Sequence, residues 1–310
     1  MSKQESASSE PARNLVGYGR NPPDPKWPGG ARLAVQIVLN YEEGAESCIL
    51  SGDAGSEAFL SEIIGARSYE NMRHMSMESV YEYGSRVGFW RLHRILNKHT
   101  VPVTVFGVAS ALATNPEAVQ AMQDAGWEIA SHGYRWLDYQ FIDIDTERRH
   151  LELAIELHEQ VTGAAPRGWY TGRTSPNSRR LIAASRRFMY ESDSYADELP
   201  YWCTDFDSPL LIIPYSLDCN DMRFATAPGF NSGRQFYDYL RDSFDLLYEE
   251  GESAPKMMSI GLHCRIAGRP GRARALDEFL SYARSFDGAW FCHRIDLANH
   301  WHTHHALKAE

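Results

Sequence analysis

The run from residue 31 to residue 39, ARLAVQIVL, most limits the folds open to this chain, because it is apolar almost without interruption. A strand with one wet face alternates apolar and polar residues, whereas an unbroken run is buried on both faces, as in a parallel sheet covered by helices. Further strand patterns at 101–106, 127–130, 167–170, 188–191, 210–214, 257–262 and 289–292 alternate with helical patterns at 84–98, 116–124, 146–161, 178–186, 233–248, 272–285 and 295–302. Asn115 is placed to cap the helix that Pro116 opens. About eight strands with intervening helices predict an α/β fold, a single distorted (β/α) barrel of seven or eight strands over residues 31–305. An open doubly wound sheet is the competing architecture, but no GxGxxG follows the first strand and no GxxxxGK[ST] occurs in the chain.

Two segments stand outside this alternation. Residues 1–30, rich in Ser, Pro, Gly and Asn, read as an extended N-terminal arm, and residues 44–80, with poor periodicity, read as a long insertion forming a lid or an interface. The net charge of −10 argues against nucleic acid as the main partner, since no cationic field would attract it. The basic run from Arg265 to Arg274 could still grip a small anion. Cys48, Cys203, Cys219, Cys264 and Cys292 are odd in number and widely spaced, a pattern of reduced thiols. With a polar N-terminus and no stretch of membrane-spanning length, a cytoplasmic protein with no membrane partner is expected.

In a parallel barrel the working residues lie where strands end. Those ends carry Tyr41, Glu42 and Glu43, then Ser131-His132, then Tyr170 with Arg173 to Pro176, then Asp218 and Asp221, then His263. Adjacent carboxylates repel, so one should hold its proton more tightly and serve as a general base. His263 suits proton donation, and Arg173 either orients a carboxylate or stabilises an oxyanion. Asp218 and Asp221 are natural partners for Arg173 or for a histidine. SHGYRW looks like a two-histidine metal element, spaced four apart, in which the second place is Trp136, whose indole has no lone pair to give. Trp136 then fills the volume of the missing ligand. His300, His302, His304 and His305 read as an exposed tail.

These strand ends, in this order, resemble the polysaccharide deacetylase (NodB-like) family. The pattern is an acid pair, a Ser-His-x-x-x-His element, an Arg loop ending in Pro, an Asp segment and a late Leu-His. The strings LNYEEG, MSMESVYEYGSR, SHGYRW, GWYTGRTSPN, DCNDMRF and SIGLHCRIAGRPGR are similar to its bacterial allantoinase branch, over nearly the whole chain. The resemblance implies a cytosolic, metal-independent hydrolase that opens the hydantoin ring of allantoin to allantoate in purine breakdown, built as a homotetramer. With it go Glu42 as base, Glu43 orienting that base or the ring nitrogens, His263 as acid, His132, Arg173 and backbone N–H groups as candidate oxyanion donors, and no cofactor. Tyr41, Trp136, Tyr170, Asp218 and Asp221 would contact substrate or support the site. A weak residual cation site would use Glu43 and His132. Two alternatives are a metal-dependent deacetylase of N-acetylated sugars and a non-catalytic ureide-binding protein.

Overall fold

The computed structural model describes residues 13–307, so the first part of the expected arm lies outside the described residues. In chain order the elements are β1 (Leu33–Tyr41), α1 (Met75–Tyr83), α2 (Phe89–Lys98), β2 (Val103–Gly107), α3 (Ala109–Thr114), α4 (Pro116–Asp124), β3 (Glu128–Ser131), α5 (Ile144–Thr162) and β4 (Gly168–Trp169). They continue with α6 (Ser178–Ser185), β5 (Tyr190–Glu191), β6 (Tyr201–Cys203), β7 (Leu210–Ile212), α7 (Gly233–Glu250), β8 (Lys256–His263), α8 (Pro270–Ala283), β9 (Ala289–Phe291) and α9 (Arg294–His304). The Asn115 side chain accepts from the Ala118 N–H, capping α4 as its sequence demands. Three elements lie outside the sequence patterns: α1, mostly within the 44–80 insertion, the six-residue α3 and the short antiparallel β6.

The strands form one curled sheet in the order β6-β7-β5-β4-β3-β2-β1-β8, parallel except for β6. The ninth strand, β9, pairs with the first half of β1 and β2 with the second half. No ladder joins β6 to β8, so the barrel is nearly closed rather than closed. Its seam is spanned by a bridge between Asn220 and Gly261, by the Met257 N–H donating to the Glu198 carbonyl at 3.0 Å, and by the Ser216 hydroxyl donating to the Ser259 carbonyl at 2.7 Å.

Strand parity sorts β1 into two cores. Leu33, Val35, Ile37, Leu39 and Tyr41 pack outward in one cluster with side chains of the surrounding helices. Ala34 and Val38 point into the barrel beside Phe106, Ala130, Tyr170 and Tyr215. Both faces are therefore covered, which is why the run carries no polar alternation. The described part of the arm lies against the barrel, with Trp27 buried and its indole N–H donating to the Lys256 carbonyl. His300 and His305 bond the Pro25 carbonyl and His302 bonds that of Met189, so these histidines secure the last helix rather than forming a tail. None of the five cysteines is paired. Among the described residues no helix is long and apolar enough to cross a membrane.

Candidate active site

Register brings the strand ends to one level. Gly107 stands opposite both Tyr41 and Ser131, Ser131 opposite Trp169, Trp169 opposite Glu191, and Asn40 opposite His263. One residue beyond three of these ends come Glu42, His132 and Tyr170, which with His263 line a cavity of about 270 Å³. That lies near the lower limit of small-molecule sites, roughly 300–1,000 Å³. Trp136, Arg173, Asn220, Phe59 and Leu60 complete much of the wall. The last two come from the 44–80 insertion, which thus roofs the cavity. A larger cleft of about 620 Å³ opens beside Asp218, without a comparable acid–base set.

Among the described residues, Glu42 is the only carboxylate lining the site cavity. Its Oε1 lies 3.2 Å from His132 Nε2 and 3.5 Å from His263 Nε2, and its Oε2 accepts from Arg265 at 2.7 Å. Behind His263, Asp221 accepts from Nδ1 at 2.6 Å and from the His263 and Ala267 N–H groups. The result is a buried line of Asp221, His263 and Glu42. His132 Nδ1 is buried without a hydrogen-bond partner. The ring of His132 meets that of Tyr170 edge-on at 4.9 Å.

The two glutamates differ because their parity differs. Burial by itself would raise the Glu42 pKa, but the Arg265 charge, followed by His263, holds it well below 4.5. Glu43 points away from the cavity toward Arg265 and α1, and its pKa is raised, chiefly by burial. The repulsion argument thus finds its raised carboxyl in Glu43, which faces no substrate. Burial works against a charged His263, yet Glu42 and Asp221 outweigh it and lift the pKa to about 9. At neutral pH the cavity therefore holds a carboxylate and an imidazolium.

Several expectations need correction. Tyr41 faces outward, bonding Ser85 at 3.2 Å and meeting Phe89 edge-on, because it is one residue out of phase with Asn40 and Glu42. Asp218 is exposed and bonds Tyr239, and only Asp221 serves a histidine. Arg173 pairs with neither aspartate. Its guanidinium lies over Trp136 at 4.1 Å and donates to the Trp136 carbonyl, leaving Nε without a partner. The arginines of the basic run are paired within the protein: Arg265 meets the two glutamates, Arg269 and Arg272 each bond Glu62 at 3.0 Å, and Arg274 bonds Glu278.

Arg265 is the functional residue that sequence reasoning missed. It is fully buried, donating to Glu42, to Glu43 Oε1 at 3.3 Å and through Nε to the Leu60 carbonyl at 3.0 Å. The same carbonyl belongs to a residue that lines the cavity, so Arg265 also ties the roof to the Glu42 carboxylate. Gly84 and Gly88 make room for this arrangement, since a Cβ there would stand 2.5 Å from Glu43 Oε1 and 2.0 Å from the Cys264 carbonyl.

A divalent cation does not fit these residues. Position 136 offers an indole, SHGYRW forms a loop with Gly133 at φ +78° rather than a helical turn, and Glu43 turns to Arg265 instead of His132. The residual Glu43–His132 pair is therefore not assembled. Among the described residues, no three His, Cys, Asp or Glu side chains converge as metal ligands.

Comparison with known proteins places this geometry in context. A family model described as polysaccharide deacetylase matches residues 70–191. A provisionally named polysaccharide deacetylase of Schizosaccharomyces pombe is 43% identical, covering 96% of this chain and 99% of its own length. Among solved structures, a probable polysaccharide deacetylase from Pseudomonas aeruginosa PAO1 is 56% identical with a TM-score of 0.94, covering 96% of this chain and 99% of the other. The structure of PuuE allantoinase is 53% identical with a TM-score of 0.94 and the same coverage.

Proposed function

This chain belongs to the polysaccharide deacetylase family of hydrolases, and within it we propose that it opens the hydantoin ring of allantoin to allantoate without a metal ion. The observation that carries this reading is the small roofed cavity, with Phe59 and Leu60 over a Glu42–His263 acid–base pair. A planar five-membered ring suits such an enclosure better than a polymer chain, which needs an open groove. The likeness to PuuE allantoinase supports the same substrate.

Glu42 takes a proton from water as the water oxygen bonds to the ring carbonyl carbon. General-base help of this kind is worth roughly 10²–10⁴-fold. His132 and the free donors of Arg173 face the developing oxyanion, each such donor contributing about 3 kcal/mol. As the C–N bond breaks, the imidazolium of His263 gives its proton to the departing nitrogen, the new carboxylic acid ionises to solvent, and the proton on Glu42 returns to His263, 3.5 Å away. Trp136 and Tyr170 wall the ring. Cytosolic location and a homotetramer belong to the same proposal, the latter checked by light scattering.

The test is allantoate formation by chelator-stripped full-length protein. Turnover should survive chelation and fall roughly 10²–10⁴-fold in Glu42→Gln. Metal-restored release of acetate from an N-acetylated sugar, with no allantoin opened, would replace this reading with the deacetylase one. Tight allantoin binding without turnover would replace it with a binding protein.

A further inference from the structure

We infer that Arg265 is a positioning residue that does the charge work of a cation: it holds the Glu42 carboxylate turned toward His132 and His263, and it bars a metal even from a chain with its missing ligand restored. This rests on the hydrolytic reading of the cavity and deepens it.

Arg265 reaches nothing inside the cavity, so it acts through what it touches. Glu42 Oε2 is occupied by the guanidinium, which leaves Oε1 as the oxygen presented to both imidazoles. Glu43, the position from which a second carboxylate would ligate, is held by the Arg265 backbone N–H at 3.1 Å and by its side chain. The guanidinium also lies 5.2 Å from the Trp136 ring and 4.2 Å from that of Tyr81. A histidine at 136 would therefore stand beside this fixed positive charge, and beside that of Arg173 as well. Restoring the ligand would not restore the site, because a metal there would face a like charge and find both carboxylates already paired. The leucine at 60 supports the same design. Its backbone is left-handed, at φ +50°, in the conformation that offers its carbonyl to Arg265 Nε. A non-glycine residue is held there only when its surroundings compensate the strain.

Cobalt(II) provides the test, since its d–d absorption reports ligation without reference to turnover. It is titrated into the chelator-stripped full-length protein and into Trp136→His, Arg265→Gln and the double variant. The parent and Trp136→His should show no ligand-field band. The folded double variant should gain one, with cobalt affinity roughly 10–100-fold above that of Trp136→His. Equal binding by Trp136→His alone, or no binding by a folded double variant, overturns the exclusion. Should Arg265→Gln prove unfolded, Trp136→His/Arg265→Lys decides: the lysine keeps the charge, so cobalt binding by that chain overturns the proposal. Positioning has its own readout. Arg265→Gln should lower kcat with little change in KM and move the acid limb of the pH profile upward, and Arg265→Lys should partly reverse both. An unmoved acid limb overturns the positioning role. Failure of the parent to open allantoin defeats the proposed substrate, while the cobalt arms still decide the inference.

Discussion

Arg265 at the barrel mouth and Arg294 at the start of α9 are both fully buried, yet their surroundings are opposite in kind. Arg265 is solvated by carboxylates. Arg294 is solvated by dipoles: Ser192 Oγ at 3.2 Å, Ser259 Oγ at 2.9 Å, and the carbonyls of Ile213 and Pro214. Burial lowers the affinity of Arg294 for its proton, whereas burial around Arg265 is outweighed by Tyr81, Glu42 and Glu43, which raise it. A guanidinium among charges tunes neighbouring acids; one among dipoles ties chain segments together. The segments tied by Arg294 follow β5 and β7 and lie within β8, so this residue spans the seam that no ladder closes.

That contrast is broken most directly at Arg294. Arg294→Met would leave two carbonyls and two hydroxyls without their donor, and at roughly 1–3 kcal/mol for an unsatisfied buried group a total loss of about 3 kcal/mol is expected after partial relaxation. Urea titration reads it as a lower midpoint. KM in the surviving folded fraction should stay unchanged, and a rise in KM without loss of stability would make Arg294 a site residue instead.

The charges around Glu42 predict a pH response that the dipoles around Arg294 do not. His263 is raised from 6.5 to about 9, so its contribution to stability is complete below 6.5 and disappears as pH rises through about 9. Glu42 is lowered, so its contribution is complete above 4.5 and disappears as pH falls below that value. With Glu42 ionised and His263 protonated in the working form, kcat/KM should be flat between these limits and fall about tenfold per pH unit on the alkaline side. His263→Asn should abolish the alkaline limb. A limb that persists in that variant assigns the proton to another group.

Much of this molecule was legible in its sequence where a local pattern suffices. The double-sided burial of β1, the Asn115 cap and the strand-end placement of Glu42, His132 and His263 all follow from periods of a few residues. What was not legible depends on meetings across the chain. Arg265 acquires its role by meeting carboxylates more than two hundred positions earlier, and its own neighbourhood, a run of arginines and glycines, suggests a surface anion site instead. The helix α3 is six residues, mostly small, with no periodicity to read, and β6 is a three-residue antiparallel edge. One available signal went unused. Consecutive residues at a strand end face opposite ways, so Glu42 and Glu43 could not both enter the cavity, and neither could Tyr41.

Tyr41 offers the smallest and sharpest check of that parity. Its hydroxyl meets Ser85 on the helix side of the sheet, while Tyr215 holds its hydroxyl inside the barrel against Asn40 at 3.1 Å. Tyr41→Phe removes one partly buried hydrogen bond and leaves the ring in place against Phe89, so stability should fall by about 1 kcal/mol with kcat and KM untouched. Tyr215→Phe removes the acceptor of two buried amide groups, Asn40 at 3.1 Å and Asn220 at 3.3 Å, from a residue lining the cavity, and should raise KM while costing about 2 kcal/mol in stability. Equal kinetic effects from the two substitutions would mean that the outward and inward faces of β1 are not separated as the packing requires.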